Sequence, residues 1–175
     1  LEAFNRKFVD ENSIRLYMVN NPKKLSVKNL SITAVEISNH PIKDMGKRKI
    51  DVDGYFYISG EDAQNIKEGE QIRLLGLGNI LITKQGEEME GEYVKDGDIK
   101  GVSKIQWVSQ KTAHQIKIII PKILFIDEKF NEDSLEEMNV YCEPHYLQLK
   151  EGEEIQFIRF GYCRKDSQNQ AIFTH

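Results

Sequence analysis

The sequence predicts an all-β protein built as two small barrels, and three observations carry that expectation. Short stretches of period-two alternation recur along the chain, separated by turn residues at intervals of about 8–15. Helical periodicity is scarce. A thirteen-residue stretch is echoed 83 positions later, and this spacing favours two like units over one large sandwich.

Taken in order, residues 1–13 are polar, lack a clear period and read as a linker. Leu25 and Val27 then alternate with Lys24, Ser26 and Lys28. Val35 and Ile37 flank Glu36 before a break at Asn39-His40-Pro41, and Ile50 and Val52 alternate with Lys49, Asp51 and Asp53. Farther on, Ile116, Ile118 and Ile120 share one strand face, with Gln115 and Lys117 on the other. The two best helix candidates, Glu61–Ile66 after Ser59-Gly60 and Ser134–Met138, are about two turns or less. The echo pairs residues 66–78 with 149–161, six of thirteen positions being identical. In each copy Lys-Glu-Gly-Glu supplies a turn, with Gly where positive φ is easiest, and an apolar residue begins the following strand.

The chain has 175 residues, 39% hydrophobic and 30% charged, which suits a globular protein with its own core. A formal net charge of −4 argues against a general DNA-coating protein. That sum hides segregation: residues 1–50 carry +5 and residues 51–100 carry −7. The first third therefore holds the best candidates for phosphate contacts, Lys43, Lys47, Arg48 and Lys49 around Met45-Gly46, preceded by Arg6-Lys7, Arg15 and Lys23-Lys24. Cys142 and Cys163 have no partner spacing for zinc or a disulfide framework and read as reduced thiols of a cytoplasmic protein. No apolar run approaches the roughly 20 residues of a membrane span, and Leu1, with no initiator Met, reads as the start of a piece of a longer chain.

Motifs for independent chemistry are missing. There is no Walker loop, no G-x-G-x-x-G opening a helix, no G-x-S-x-G elbow and no His pair at ligand spacing, and Gly76-Leu77-Gly78 between strands suits a bulge or bend. What remains is a β surface with planar Arg and Gln side chains, the equipment for reading exposed bases of an RNA loop.

The strings HPIKDMGKRKI (40–50), IKEGEQIRLLGLGNI (66–80), IQWV (105–108) and IQFIRFGYCRKDS (155–167), with the opening FNRKFVDENSIRLYMV, resemble the C-terminal anticodon-binding region of class I glutamyl- and glutaminyl-tRNA synthetases, closest in wording to the archaeal-type glutamyl enzymes. The resemblance implies the ribosomal-protein-like anticodon-binding barrel fold. Residues 1–13 would be the linker from a catalytic half, 14–100 the first part of the barrels, and 101–175 a second part interleaved with it. It implies a parent ligase joining glutamate to tRNA with ATP and magnesium through HIGH- and KMSKS-type motifs, neither present here, so no cofactor is expected in this region. Expected partners are tRNA(Glu), with tRNA(Gln) left open, and the parent's catalytic domain, but neither membrane nor DNA. The other reading is a translation-associated RNA- or protein-binding barrel with no aminoacylation role.

By the same resemblance, Arg15 falls on an anticodon-contacting arginine, Arg73 on one that reaches the first anticodon base or its phosphate, and Gln156 on the glutamine that reads the central base. Arg159 lies by alternation on the face opposite Gln156, with a role inside the barrel and an RNA contact both open. Leu75, Ile158 and Gln64-Asn65 stand where glutaminyl members carry charged residues, so their full code is not transferred. Trp107 reads as core.

Overall fold

The computed structural model describes residues 10, 12–97, 100–127 and 129–175; most of the 1–13 segment, with Arg6-Lys7, lies outside the described residues. The first half contributes β1 (Ile14–Leu16), β2 (Met18–Asn20), β3 (Lys23–Lys28), β4 (Ala34–Ser38), β5 (Lys47–Asp51), β6 (Tyr55–Ile58), α1 (Gly60–Asn65), β7 (Gln71–Leu74), β8 (Gly78–Lys84) and β9 (Met89–Val94). Then follow β10 (Ser103–Ile105), β11 (Trp107–Ser109), β12 (His114–Pro121), β13 (Phe125–Ile126), β14 (Lys129–Phe130), β15 (Leu135–Cys142), a 3-10 turn (Pro144–Gln148), β16 (Glu154–Phe157), β17 (Gly161–Ser167) and β18 (Gln170–Phe173).

Strands stand where alternation places them. Helix α1 matches the Glu61–Ile66 expectation and starts at Ser59, whose Oγ accepts a hydrogen bond from the Asp62 amide at 3.1 Å. The helix expected over Ser134–Met138 is instead the start of β15. Lateral pairing decides this: β15 bonds antiparallel to β12 from His114–Cys142 to Pro121–Leu135, and Lys117–Glu137 and Lys122–Glu136 pair across the strands at 2.7 Å each. A short acidic stretch has weak helical preference, so a long strand partner overrides it.

Two seven-stranded sheets result, in the orders β10-β7-β8-β9-β3-β6-β11 and β1-β16-β17-β18-β12-β15-β2. The end strands of each sheet are consecutive in the chain, with one residue between them, Gln106 in the first and Tyr17 in the second. A single bent strand thus runs from one edge to the other and draws each sheet into a nearly closed barrel. The two strand orders match term by term, and the echo is their shared corner. Gly69 and Gly152 have φ of +82° and +87°, the amides of Lys67 and Lys150 donate to the carboxylates of Glu70 and Glu153, and the Gly69 and Gly152 amides each reach a β8 or β17 carbonyl at 2.8 Å.

The bent strands are exchanged. β10 and β11, from the second half, close the barrel built mainly from the first half; β1 and β2, from the first half, close the other. Accordingly Ile105 and Trp107 belong to the core of Leu25, Phe56, Ile72 and Ile80, whereas Leu16 and Met18 belong to that of Ile116, Ile118, Val140 and Ile155. Trp107 is fully buried as expected, its indole N–H donating to the Leu75 carbonyl at 2.8 Å and its ring edge-on to Phe56. The β4–β5 hairpin ties the barrels together: Val35 and Ile50 sit in the first core, while the Arg15 amide of β1 donates to the Asn39 carbonyl beyond β4 at 2.7 Å.

Candidate nucleic-acid interface

On β1, Leu16 points inward, and Arg15 faces out beside its parallel register partner Gln156 of β16, which in turn pairs with Tyr162 of β17. These side chains form one row across the outer face of the second barrel. Asp10 lies over it, its Oδ1 accepting from Arg15 Nη2 at 3.1 Å and from the Tyr162 hydroxyl. Among the described residues, Gln156 Oε1 and Arg15 Nε are both buried and without a hydrogen-bond partner, so the row keeps one acceptor and one donor unused there. The Tyr162 hydrogen bond, ahead of Arg15, holds the Asp10 carboxyl below its usual 3.8 against the opposing effect of burial. Tyr162→Phe is therefore expected to raise the Asp10 titration midpoint, followed by carboxyl-carbon NMR shifts; an unchanged midpoint would remove Tyr162 as the cause.

The basic loop borders this row. His40 Nδ1 accepts from the Ile42 and Lys43 amides at 3.2 and 2.9 Å, and its Nε2 faces the Asp10 carbonyl, so one ring holds the loop against the Asp10 segment. Lys43, Lys47 and Lys49 are exposed there, Lys49 being 4.0 Å from Asp51. Arg48 is not with them. It is 3% exposed, binds both carboxylate oxygens of Glu143, donates to the Ser38 carbonyl at 3.0 Å and lies 5.3 Å from the Tyr17 ring centroid. Alternation along β5 turns Ile50 and Arg48 to the same inner side, and the Tyr17 amide completes the Glu143 site at 2.8 Å. The expected phosphate contact at Arg48 is thus replaced by an internal ion pair anchoring the hairpin. Burial pushes the Glu143 carboxyl upward, opposed by Arg48 and the Tyr17 N–H.

Lys24 of the expected basic surface pairs with Glu88 at 3.0 Å, and its strand neighbour Lys28 with Glu90 at 3.2 Å. The acidic middle of the sequence is spent partly on its own basic neighbours across β3 and β9.

In the first barrel, Arg73 donates to Asn79 Oδ1 at 2.8 Å and has Lys104 as its parallel register partner. Arg73 and Gln156 occupy equivalent places in the two echoed strands, on separate barrels. Arg159 is neither inside a barrel nor on a strand. β16 ends at Phe157, so alternation stops before Arg159, which takes φ +64° in the turn and forms a bidentate pair with Asp62 of α1 at 3.0 and 3.1 Å. It borders a cleft shared by both barrels, lined also by Met18, Asn20, Gln106 and Phe160. Asp10, Tyr162 and Lys104 were not singled out from sequence; Tyr162 lies inside the IQFIRFGYCRKDS block, the one signal that marked it.

Among the described residues no His, Cys, Asp and Glu cluster has metal-binding geometry, and no helix is long and apolar enough to cross a membrane. Both cysteines are free and buried, burial pushing the Cys163 thiol up to about 12 and Cys142 higher.

Residues 13–101 and 104–166 each match a family described as tRNA synthetases class I (E and Q), anti-codon binding domain. The chain is 71% identical over 175 residues to the glutamate–tRNA ligase of Nitrosopumilus maritimus (strain SCM1) and 47% identical to that of Cenarchaeum symbiosum (strain A), covering all of this chain and 31% of each relative. Identity to the glutamate–tRNA ligase of Korarchaeum cryptofilum (strain OPF8) is 30%, over 99% of this chain and 29% of that protein. The chain thus spans about a third of the length of the curated relatives it matches. With the barrel pair and both family matches in agreement, the chain belongs to the anticodon-binding domains of the class I tRNA synthetases for glutamate and glutamine.

Proposed function

We propose that this chain holds the anticodon loop of tRNA(Glu) for a glutamate–tRNA ligase, whose catalytic part would use ATP and magnesium outside these residues. The observation that carries the reading is the Arg15–Gln156–Tyr162 row. A buried amide oxygen with no partner among the described residues, set beside an arginine on an outer barrel face, suits a base edge presenting N–H donors and acceptors at once. Lys43, on the loop after the Asn39 carbonyl that bonds β1, and Lys47 and Lys49, on β5, supply positive charge for the backbone of the same RNA. Arg73 would contact the anticodon from the first barrel. Arg159 would act after exchanging Asp62 for RNA, or by holding the barrels in register. Such an enzyme works in the cytoplasm, and tRNA(Gln) is its natural second candidate partner.

Gln156→Ala is expected to weaken tRNA(Glu) binding by about 1–3 kcal/mol and to bring the affinities of cognate and anticodon-altered tRNA together. Fluorescence anisotropy with labelled transcripts measures both. An unchanged cognate-to-altered ratio overturns the base-reading role of Gln156. Equal affinity for tRNA(Glu), tRNA(Gln) and an unrelated tRNA overturns the anticodon reading and favours a general RNA-binding barrel.

A further inference from the structure

The exchanged strands place a cation beside Arg73 that sequence spacing does not reveal. Lys104 is the middle residue of β10, exposed on the outer face between Ser103 and Ile105, and is the direct register partner of Arg73 across a parallel pair. The arrangement is the counterpart of Arg15 beside Gln156: β10 stands to β7 as β1 stands to β16. The two rows differ in chemistry. In the second barrel the cation is answered by Asp10 and its neighbour is an amide with an acceptor. In the first barrel both neighbours are cations, and among the described residues neither Lys104 nor Arg73 has a carboxylate within 4.0 Å. Arg73 is steadied instead by the neutral amide of the buried Asn79.

Like charges placed directly opposite on adjacent strands oppose sheet pairing. Lys104 and Arg73 offer donors only, the guanidinium being planar and the ammonium a mobile point charge. A ligand fitted to that pair carries negative oxygens rather than a mixed donor and acceptor edge. We propose that Lys104 and Arg73 form a two-cation clamp for a phosphodiester of the bound RNA, so that the first barrel fixes the backbone while the second reads a base. The clamp rests on the anticodon-binding reading above and adds to it a residue, Lys104, as the second cation beside Arg73.

The test uses this chain with an anticodon stem-loop RNA of tRNA(Glu), comparing Lys104→Ala, Arg73→Ala and Gln156→Ala over a salt series. Lys104→Ala is expected to bind about threefold to tenfold more weakly near 0.1 M salt, to lower the slope of log affinity against log salt by about 0.7, and to leave the cognate-to-altered ratio unchanged. A methylphosphonate placed successively at each loop position should, at one position, weaken the parent protein but not Lys104→Ala. If Gln156→Ala weakens binding while Lys104→Ala changes neither affinity nor slope, the clamp is wrong and the anticodon reading stands. If Lys104→Ala alters the ratio without altering the slope, it contacts a base and the clamp is again wrong. If no variant weakens binding, both fall. Near-UV circular dichroism of the exposed-site variant confirms that folding is intact.

Discussion

Residues 1–100 and 101–175, produced as separate chains, are expected to remain unfolded alone and to fold when mixed. Severing the chain there removes β10 and β11 from the first barrel and β1 and β2 from the second, opening both sheets along two edges. The first core loses Trp107, fully buried, and Ile105, 4% exposed; the second loses Leu16, fully buried, and Met18, 6% exposed. Truncating one large buried side chain costs about 3–5 kcal/mol, and a whole domain has only about 5–15 kcal/mol in hand. Losing a tryptophan, an isoleucine and two strand pairings therefore exceeds the stability of the first barrel. Trp107 is the chain's one tryptophan, and it lies in the second fragment while its packing partners lie in the first. Its emission should be that of a solvated indole in 101–175 alone and should shift to the blue on adding 1–100. A blue, cooperatively melting emission from 101–175 by itself would show that the exchange is dispensable.

Glu143→Ala should destabilise the intact chain by about 3–5 kcal/mol, because it leaves the Arg48 guanidinium buried without its counter-charge. The side chains of both partners are 1% exposed, so water cannot replace the lost carboxylate without local opening. Arg48→Met should cost a similar amount by stranding Glu143, whose oxygens also accept from the Tyr17 amide. The pair Arg48→Met with Glu143→Leu should recover most of the loss, since apolar replacement of a buried ion pair is close to neutral when volume is kept. Urea unfolding of the three variants reads these values. The series also tests the removal of Arg48 from the phosphate-contact set: a stable Arg48→Met protein that binds RNA with a reduced salt slope would return it there.

Local order was legible in the sequence to a considerable depth. Alternation located strands such as Lys23–Lys28 and His114–Pro121, the Lys-Glu-Gly-Glu echo located two identical corners, and Ser59 located the start of α1. Each of these depends on residues within one turn or strand, where backbone sterics and side-chain periodicity act directly. Ser134–Met138 was misread because its fate depends on β12, about twenty residues away, and propensity in so short a stretch carries little weight. Alternation could not place the Arg159 side chain, because β16 ends at Phe157 and Arg159 lies in a turn with positive φ.

The recognition chemistry had a similar division. Residue type and block order nominated Arg15, Arg73 and Gln156 as candidates, with an RNA loop as the proposed ligand. They could not show that Arg48 turns inward while Lys47 and Lys49 stay out, because the inner side of β5 is defined by Glu143 and Tyr17, residues far apart in the chain. Nor could they show Lys104 beside Arg73. By itself the sequence determined the strand content, the repeat and the kind of chemistry on offer, all properties of near neighbours along the chain. Only the tertiary structure decided which bent strand closes which barrel, and hence which cations stand side by side, because parallel strand pairing is a long-range choice made by burying Trp107 in one core and Leu16 in the other.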